Sequence, residues 1–264
     1  MIAELHHAHW RDLAEHVRRT VGQVDALIVD APYSERTHAG HDDGASAANR
    51  SAGWTPKDPA QVARASLNEL SGDGARRAIT YRPWTPEDVR EFVSVWSPLV
   101  RGWFCSLTDH VLADAWGEAL EAAGRYTFSP IACVETGSRV RLGGDGPSQW
   151  STWLVAARPA TREFQRWGTL PGAYVGGAEG KAVVGGKPLW LMESLVRDYT
   201  RPGDLVCDPC MGAGTTLLAA KLLGRQYIGG DLDAAHVEIA RERLRDLPAA
   251  PDKRGTMALP WGER

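Results

Sequence analysis

The segment at 204–224, DLVCDPCMGAGTTLLAAKLLG, combines residues that can bind a small charged ligand. An apolar strand runs into Asp208-Pro209, and two glycines separate it from a helix. Glycines allow the backbone to approach a ligand closely. The free N–H groups at the start of the helix can hold an anionic group such as a carboxylate. The candidate binding residues of this turn are Asp208, Pro209, Cys210, Gly212, Gly214, Thr215 and Thr216.

A second acid follows one strand later, in QYIGGDLD, where Asp231 ends the strand. An acid at this position can accept hydrogen bonds from ribose hydroxyls, so the pattern predicts a nucleoside cofactor. A dinucleotide fingerprint needs a third glycine three residues after the second, and Leu217 stands there, which disfavours NAD. A plain tight turn is the alternative, and the combination of strand, Asp-Pro, glycines, helix and acid argues against it.

A carboxylate, a stiff backbone and an aromatic ring end another apolar strand, in VDALIVDAPYS at 24–34. The residues are Asp30, Ala31, Pro32 and Tyr33. A residue before proline is held in an extended conformation, and ligands of doubly wound sheets bind beyond the carboxyl ends of strands. The same pattern also ends many strands as a simple turn. Its functional meaning therefore depends on the glycine turn.

Six short apolar segments predict the strands that position these residues: DALIVD, GWFCSL, PIACVE, TWLVAA, DLVCDP and QYIGGD. Helical patterns lie between several of them, as in TPEDVREFVSVW and KPLWLMESLVRDY. This alternation predicts an α/β fold with a mostly parallel, doubly wound sheet that is covered on both faces. FSPIACVE and STWLVAARP follow each other without a helix, which predicts an antiparallel hairpin at one edge of the sheet.

The 264 residues fit a single domain at 1–247 with a loose C-terminal tail at 248–264. Two stretches interrupt the alternation, at 34–82 and 136–186, and long segments of this kind are usually functional loops. The first contains a short helical pattern, PAQVARASLNEL. Both carry basic and aromatic residues typical of a nucleic-acid face, although a solvated surface is the alternative. These residues are Arg36, His38, His41, Arg50, Arg139, Arg141, Trp150, Trp153, Arg158, Arg162, Arg166 and Trp167.

Composition and cysteine content limit the class of protein and its location in the cell. The net charge is -3, and the four cysteines show no disulfide framework, which favours a reduced cytoplasmic protein. No apolar run approaches the roughly 18 residues of a membrane helix, and the N-terminus lacks the features of a signal peptide. His6, His7 and His9 together with Cys207-x-x-Cys210 allow a zinc site. Both segments already have a place in the cofactor scheme, so no metal is expected.

These motifs resemble those of S-adenosylmethionine-dependent DNA amino-methyltransferases. DPCMGAGTT resembles their D-P-F-x-G-x-G-T-T cofactor motif, and DAPY resembles their D-P-P-Y catalytic motif. GGKPLWLMESLVRDYTRPGD resembles the K-P-x-x-L helix of the β group, in which the catalytic motif comes first. The resemblance is loose at 1–33 and close at 181–245. Three positions depart from the family pattern: Ala31, Cys210, and Ala8-His9 where Gly-Asp is usual.

The resemblance implies a Rossmann-like class I methyltransferase that binds S-adenosyl-L-methionine, with Lys187 and Asp231 among the cofactor-binding residues. In this scheme Asp30 and the carbonyl of Ala31 accept hydrogen bonds from the exocyclic amine of a base, and stabilising developing charge is a large catalytic term. Tyr33 is expected to stack on a base that has left the duplex.

The implied substrate is double-stranded DNA. Asp30 at the first motif position favours adenine N6, and cytosine N4 is the alternative. Two further classes are an RNA or protein-amide methyltransferase, which the motif order disfavours, and a nucleic-acid-binding protein without catalysis. The sequence leaves open whether the protein is a homodimer and whether it acts with a restriction nuclease.

Overall fold

A computed structural model of the chain describes residues 2–42, 81–136, 150–179, 182–183 and 185–245. Within these residues the strands are β1 (Ala3–His7), β2 (Ala26–Asp30), β3 (Phe104–Thr108), β4 (Arg125–Thr127), β5 (Ile131–Thr136), β6 (Trp150–Pro159), β7 (Ala173–Gly177), β8 (Leu205–Asp208) and β9 (Gln226–Asp231). The helices are α1 (Trp10–Thr20), α2 (Glu35–Asp42), α3 (Pro86–Trp96), α4 (Ala113–Ala122), α5 (Arg162–Gln165), α6 (Leu189–Tyr199), α7 (Thr215–Leu222) and α8 (Ala234–Arg245), and a 3-10 turn spans Ser97–Leu99.

The described strands form one mixed sheet in the order β1-β9-β8-β2-β3-β6-β5-β7, with β4 also paired to β6. Strand β6 is antiparallel to its neighbours β3, β4 and β5. The remaining ladders are parallel. The predicted mostly parallel α/β sheet is confirmed.

Strands β1, β9, β8 and β2 are neighbours, and the carboxyl ends of parallel strands meet at one edge of a sheet. Asp208 pairs with Gly229 across β8 and β9, and His7 pairs with Asp231 across β1 and β9. Strand β2 lies on the other side of β8, with Leu27 paired to Cys207. The sheet order therefore brings the acids at 30, 208 and 231 to one edge, although they are far apart in sequence.

The predicted antiparallel pair is confirmed as β5 and β6, with Ile131 opposite Leu154. The pair does not form the edge of the sheet, because β7 lies outside β5 and runs parallel to it. The β7 sequence, AYVGG, has two glycines, and Tyr174 is its one buried residue. Because β7 has few apolar residues, the apolar pattern of the sequence does not predict it as a strand. Strand β1 is likewise not predicted, because AELHH is mostly polar.

Alternate residues of the central strands pack on opposite faces of the sheet, as a fully covered sheet requires. Leu27 and Val29 of β2 join a core formed with α1, α3 and α4, whereas Ala26 and Ile28 join a core formed with α6 and α7. Thr85 caps the N-terminus of helix α3 and forms a capping box with Asp88. Helices therefore cover both faces of the central strands.

The two stretches that interrupt the predicted alternation differ in how much the structure describes. In 34–82 it describes α2 and the final residues, and the predicted helix at PAQVARASLNEL lies outside the described residues, as does the tail at 248–264. In 136–186 it describes β6, α5 and β7, so part of this stretch belongs to the sheet. Among the described residues, no helix is long and apolar enough to cross a membrane.

Candidate active site

A cavity of about 700 Å³ opens at the carboxyl edge of β1, β9, β8 and β2. It is lined by residues from both sequence motifs, so the glycine turn and the DAPY segment face one space. The predicted site residues that line it are Asp30, Pro32, Lys187, Asp208, Pro209, Cys210, Gly212, Thr215, Thr216 and Asp231. Ala31, Tyr33 and Gly214 are not among the lining residues.

The glycine turn has the left-handed backbone that its sequence predicts. Gly212 has φ +51° and Gly214 has φ +73°, values that L side chains rarely adopt. A Cβ at position 214 would come within 2.8 Å of the Ala240 Cβ. Gly214 therefore serves the close packing of the turn against α8, whereas Gly212 lies on the cavity wall.

Asp231 is tied directly to the glycine turn. Its Oδ2 accepts a hydrogen bond from the Gly212 N–H at 2.9 Å, and its Oδ1 accepts one from the Asp233 N–H at 2.9 Å. His236 Nδ1 lies 3.3 Å from the same Oδ1. His236 also lines the cavity, and the sequence analysis did not single it out because it lies within an ordinary amphipathic helix.

Asp208 is a buried carboxyl at the base of the cavity. Burial raises the pKa of Asp208 to about 7, and the charges of Asp30 and Asp231 act in the same direction. A hydrogen bond from the Cys210 N–H at 3.1 Å and one from the Thr216 side chain oppose this shift. Three acids thus crowd one edge of the sheet, and the most buried of them titrates near neutrality.

Asp30 is held through both carboxylate oxygens. Lys187 Nζ donates to Asp30 Oδ2 at 2.6 Å and also to the Gly185 carbonyl at 3.1 Å. The Tyr33 hydroxyl donates to Asp30 Oδ1 at 2.9 Å. Lys187 thus contacts Asp30 and lines the same cavity as the glycine turn, and its assignment to the cofactor-binding residues stays a prediction.

The Tyr33 side chain is largely buried in this structure, and its stacking role stays a prediction. The residue is 9% exposed, its hydroxyl is bound to Asp30, and its carbonyl accepts a hydrogen bond from the Trp84 N–H at 2.9 Å. Burial, with the nearby Asp30 carboxylate, raises the pKa of Tyr33. Ala31 is also buried.

Asp109, which the sequence did not single out, anchors the loop that follows Asp30. Its Oδ2 accepts hydrogen bonds from the Ser34 N–H at 3.0 Å, the Ser34 hydroxyl at 2.5 Å and the Thr37 hydroxyl at 2.6 Å. Its Oδ1 accepts from the backbone of Val111 and Leu112. Burial acts to raise the pKa of Asp109, but these hydrogen bonds outweigh it and lower the value. The sequence signal that could have identified Asp109 was a single acid directly after strand β3.

The segment between β1 and α1 forms another wall of the cavity. The Ala8 N–H donates to the Asp231 carbonyl at 3.0 Å, and His9 caps α1 by accepting the Arg11 N–H at 3.2 Å. Burial, with the charge of Arg11, lowers the pKa of His9. Ala8 and His9 thus occupy the position where the Gly-Asp of the family pattern is expected, and both line the cavity.

The thiols of the Cys207-x-x-Cys210 pair have separate surroundings. Cys207 is fully buried in the core, and Cys210 lines the cavity. Burial raises the pKa of both thiols, and the Asp208 carboxylate adds to this effect. Cys207 lies in β8, and Cys210 lies in the turn that follows it.

The basic and aromatic residues predicted for nucleic-acid contact differ in their surroundings. Arg36, Arg162 and Arg166 are exposed, as phosphate contacts require. Arg158 stacks on the Tyr126 ring with its Cζ 4.5 Å from the centroid. His38 is buried. Arg50, Arg139 and Arg141 lie outside the described residues, as do the side chains of His41 and Trp150.

The raised pKa of Asp208 predicts a pH dependence of stability. Its pKa is about 7 in the folded protein and 3.8 ordinarily, so between these values the folded protein holds a proton that the unfolded chain has lost. The stabilisation from this group is complete below pH 3.8 and is lost as the pH rises towards 7. The free energy of unfolding of the wild type should therefore fall relative to that of Asp208→Asn across this window.

Urea unfolding of both proteins at about pH 5 and about pH 8 measures this difference through the linkage of proton binding to folding. Asp114→Asn, at an exposed acid on α4, serves as the matched control and should follow the wild type. Parallel pH profiles for the wild type and Asp208→Asn would show that Asp208 does not titrate in this window.

Known proteins resemble the chain in both sequence and fold. A family model described as DNA methylase matches residues 111–242, which is half of the chain. The Type II methyltransferase M2.DpnII of Streptococcus pneumoniae is 45% identical over 58 residues, which are 22% of this chain and 22% of that protein. The Type II methyltransferase M1.MboII of Moraxella bovis is 46% identical over 61 residues, which are 23% of this chain and 24% of that protein. The chain thus matches less than a quarter of the length of either relative.

Two solved structures share the fold over nearly the whole chain. The M1.HpyAVI-SAM complex has a TM-score of 0.63 at 21% identity and covers 94% of this chain and 100% of its own. The cytosine-N4-specific PvuII DNA methyltransferase has a TM-score of 0.59 at 11% identity and covers 94% of this chain and 89% of its own. With the glycine turn, the acid-lined cavity and the matched family model, the chain belongs to the N6/N4 DNA methylase family.

Proposed function

We propose that this protein transfers a methyl group from S-adenosyl-L-methionine to the exocyclic amine of a base in double-stranded DNA, with adenine N6 as the target. The observation that supports this most is the shared cavity, which has the glycine turn on one side and Asp30 on the other. A group-transfer enzyme needs its donor and acceptor in one space, oriented towards each other.

The glycine turn fits a nucleoside cofactor with a carboxylate. Gly212 exposes the backbone on the cavity wall, and the first N–H groups of α7 are available to an anionic group. Asp231, fixed by the Gly212 and Asp233 N–H groups, would accept the ribose hydroxyls. When bound, S-adenosyl-L-methionine supplies an electrophilic methyl group.

The acids around the cavity favour a positively charged ligand. Five aspartates line it, whereas three basic side chains do, so the acids outnumber the bases; the aspartates are Asp30, Asp88, Asp208, Asp231 and Asp233, and the basic side chains are Arg11, Arg82 and Lys187. Because a cation would lower the energy of the charged form of Asp208, its binding is coupled to loss of the Asp208 proton. The sulfonium of the proposed cofactor carries such a charge, whereas NAD has a negatively charged pyrophosphate.

Asp30 is placed to act on the target amine. A base nitrogen conjugated with its ring is a poor nucleophile, and acceptors placed on its hydrogens favour the form whose lone pair can attack. Lys187 and Tyr33 each use one oxygen of the Asp30 carboxylate. A carboxylate has about four acceptor sites in total, so both oxygens can still accept from an amine.

The choice of base rests on the motif. Asp30 at its first position favours adenine N6, since family members that act on cytosine N4 more often have Ser or Thr there. Cytosine N4 is the second candidate, because a cytosine-N4-specific enzyme shares the fold.

Exposed Arg36, Arg162 and Arg166 are proposed phosphate contacts. The free state of all four cysteines fits a reducing cytoplasm as the place of action.

Cofactor binding provides one test. Calorimetry should show binding of S-adenosyl-L-methionine and none of NAD. Asp231→Ala should weaken the binding by the roughly 1.5–3 kcal/mol of a hydrogen bond to a charged group, which is about ten- to a hundredfold. Asp231→Asn retains acceptor oxygen and should lose less, and Glu238→Ala, at an exposed acid of α8, should bind as the wild type does. Heat with NAD and none with S-adenosyl-L-methionine would overturn the cofactor assignment.

Methyl transfer provides the second test. Asp30→Ala and Asp30→Asn should lose on the order of 100- to 1000-fold in single-turnover rate on duplex DNA, because a preorganised electrostatic partner is removed. Circular dichroism and cofactor affinity, measured alongside, should match the wild type. Tyr33→Phe keeps the ring but loses the hydroxyl that donates to Asp30, so its loss of rate should be smaller than that of Asp30→Ala. Nucleoside analysis of the labelled product identifies the base, and transfer by Asp30→Ala at the wild-type rate would exclude Asp30 from the chemistry.

A further inference from the structure

Three side chains converge beside the edge strand β1, away from the cavity residues. Successive residues of a strand point to opposite faces. Leu5 packs against the core formed by α7 and α8. Glu4 and His6 share the opposite face, where α1 brings His16 over them. Two histidines and one carboxylate from two separate elements therefore meet at one point.

The distances within this cluster are close to those of metal ligands. Glu4 Oε2 lies 3.0 Å from His6 Nε2 and 2.8 Å from His16 Nε2, and the three ligand atoms all lie within 4.8 Å of one another. Tetrahedral zinc ligands, bound at about 2.0–2.2 Å, are roughly 3.3 Å apart. The two separations that involve Glu4 are therefore within a few tenths of an ångström of those around a tetrahedral ion.

The geometry points to a binding site for a divalent transition-metal ion, with Zn²⁺ as the expected occupant, at Glu4, His6 and His16. Two imidazole nitrogens and a carboxylate oxygen form a donor set that suits Zn²⁺ and its neighbours, whereas Mg²⁺ and Ca²⁺ prefer all-oxygen sites. The side chains are 25–37% exposed, so an ion can enter from solvent and a water can complete the coordination. This site revises the sequence expectation of no metal.

The site differs from the zinc site that the sequence suggested. His9 caps α1, and His7 Nε2 lies 2.9 Å from the Leu232 carbonyl, on the other side of the strand. His16, which lies ten residues beyond His6, completes the cluster because α1 folds back along β1. Local spacing alone could not have paired these two histidines.

A bound ion would fasten α1 to the edge strand. Helix α1 begins at Trp10, and the segment immediately before it, with Ala8 and His9, forms a wall of the cavity. The free energy of metal binding adds to the stability of the folded state, since the unfolded chain lacks the assembled ligands. The ion is therefore assigned a structural role, in which it holds helix α1 against the edge strand β1.

Zinc titration of the untagged protein, after chelator dialysis, tests the site. ZnCl₂ alone is the probe, with MgCl₂ in a parallel titration. One equivalent of zinc should bind and raise the melting temperature, and magnesium should do neither. His6→Ala, His16→Ala and His16→Gln should each lower the zinc affinity at least tenfold and abolish the thermal shift. His7→Ala, on the opposite face of the same strand, is the matched control and should bind zinc as the wild type does.

Glu4→Gln separates a metal site from a set of hydrogen bonds. The amide can still accept from both imidazoles, so the fold should be kept, but a neutral amide oxygen is a poor zinc ligand. Its zinc affinity should therefore also fall at least tenfold while its circular dichroism spectrum is unchanged. A wild type that takes up no equivalent of zinc, or a Glu4→Gln or His16→Gln protein that binds zinc as tightly as the wild type, would overturn the assignment.

Discussion

The ion pair between Lys187 and Asp30 is the contact on which the geometry of the site depends. The side chain of Lys187 is 5% exposed and that of Asp30 is 22% exposed. A charge so far from water needs a partner, and removing one member of a buried pair costs about 3–5 kcal/mol. Asp30 ends β2, and Lys187 precedes α6 by two residues. The pair therefore fastens the segment before α6 over the carboxyl edge of the sheet, where it becomes a cavity wall.

Parallel strand order explains why the acids accumulate there. Strands β9, β8 and β2 are neighbours, and each ends in an aspartate. Water cannot screen Asp208, so its pKa responds to the two other carboxylates as well as to burial. An edge with three acids and one lysine carries a net negative charge in the fully ionised state. That negative charge favours the binding of a cationic ligand. In the absence of such a ligand, it disfavours the ionisation of all three acids at once.

The sequence predicts the strands with apolar cores and the glycine turn because their signals are local. Left-handed glycines, an Asp-Pro after a strand and an acid after the next strand all lie within 28 residues, at 204–231. The missed features depend on contacts between distant residues. Lys187 meets Asp30 across 157 positions, and Asp109 reaches Ser34 across 75. The Trp84 N–H donates to the Tyr33 carbonyl from 51 residues away, and no spacing rule gives that contact.

Single-turnover methyl transfer by Lys187→Met is the most direct test of the central claim that Lys187 positions Asp30. If it does, the rate at saturating cofactor should fall tenfold or more, on the order of the loss of a preorganised partner, and cofactor affinity should stay close to that of the wild type. Lys187→Arg retains the charge and should recover part of the rate. The opposite pattern, weakened cofactor binding with an unchanged rate at saturation, would place Lys187 in the cofactor site and contradict the account.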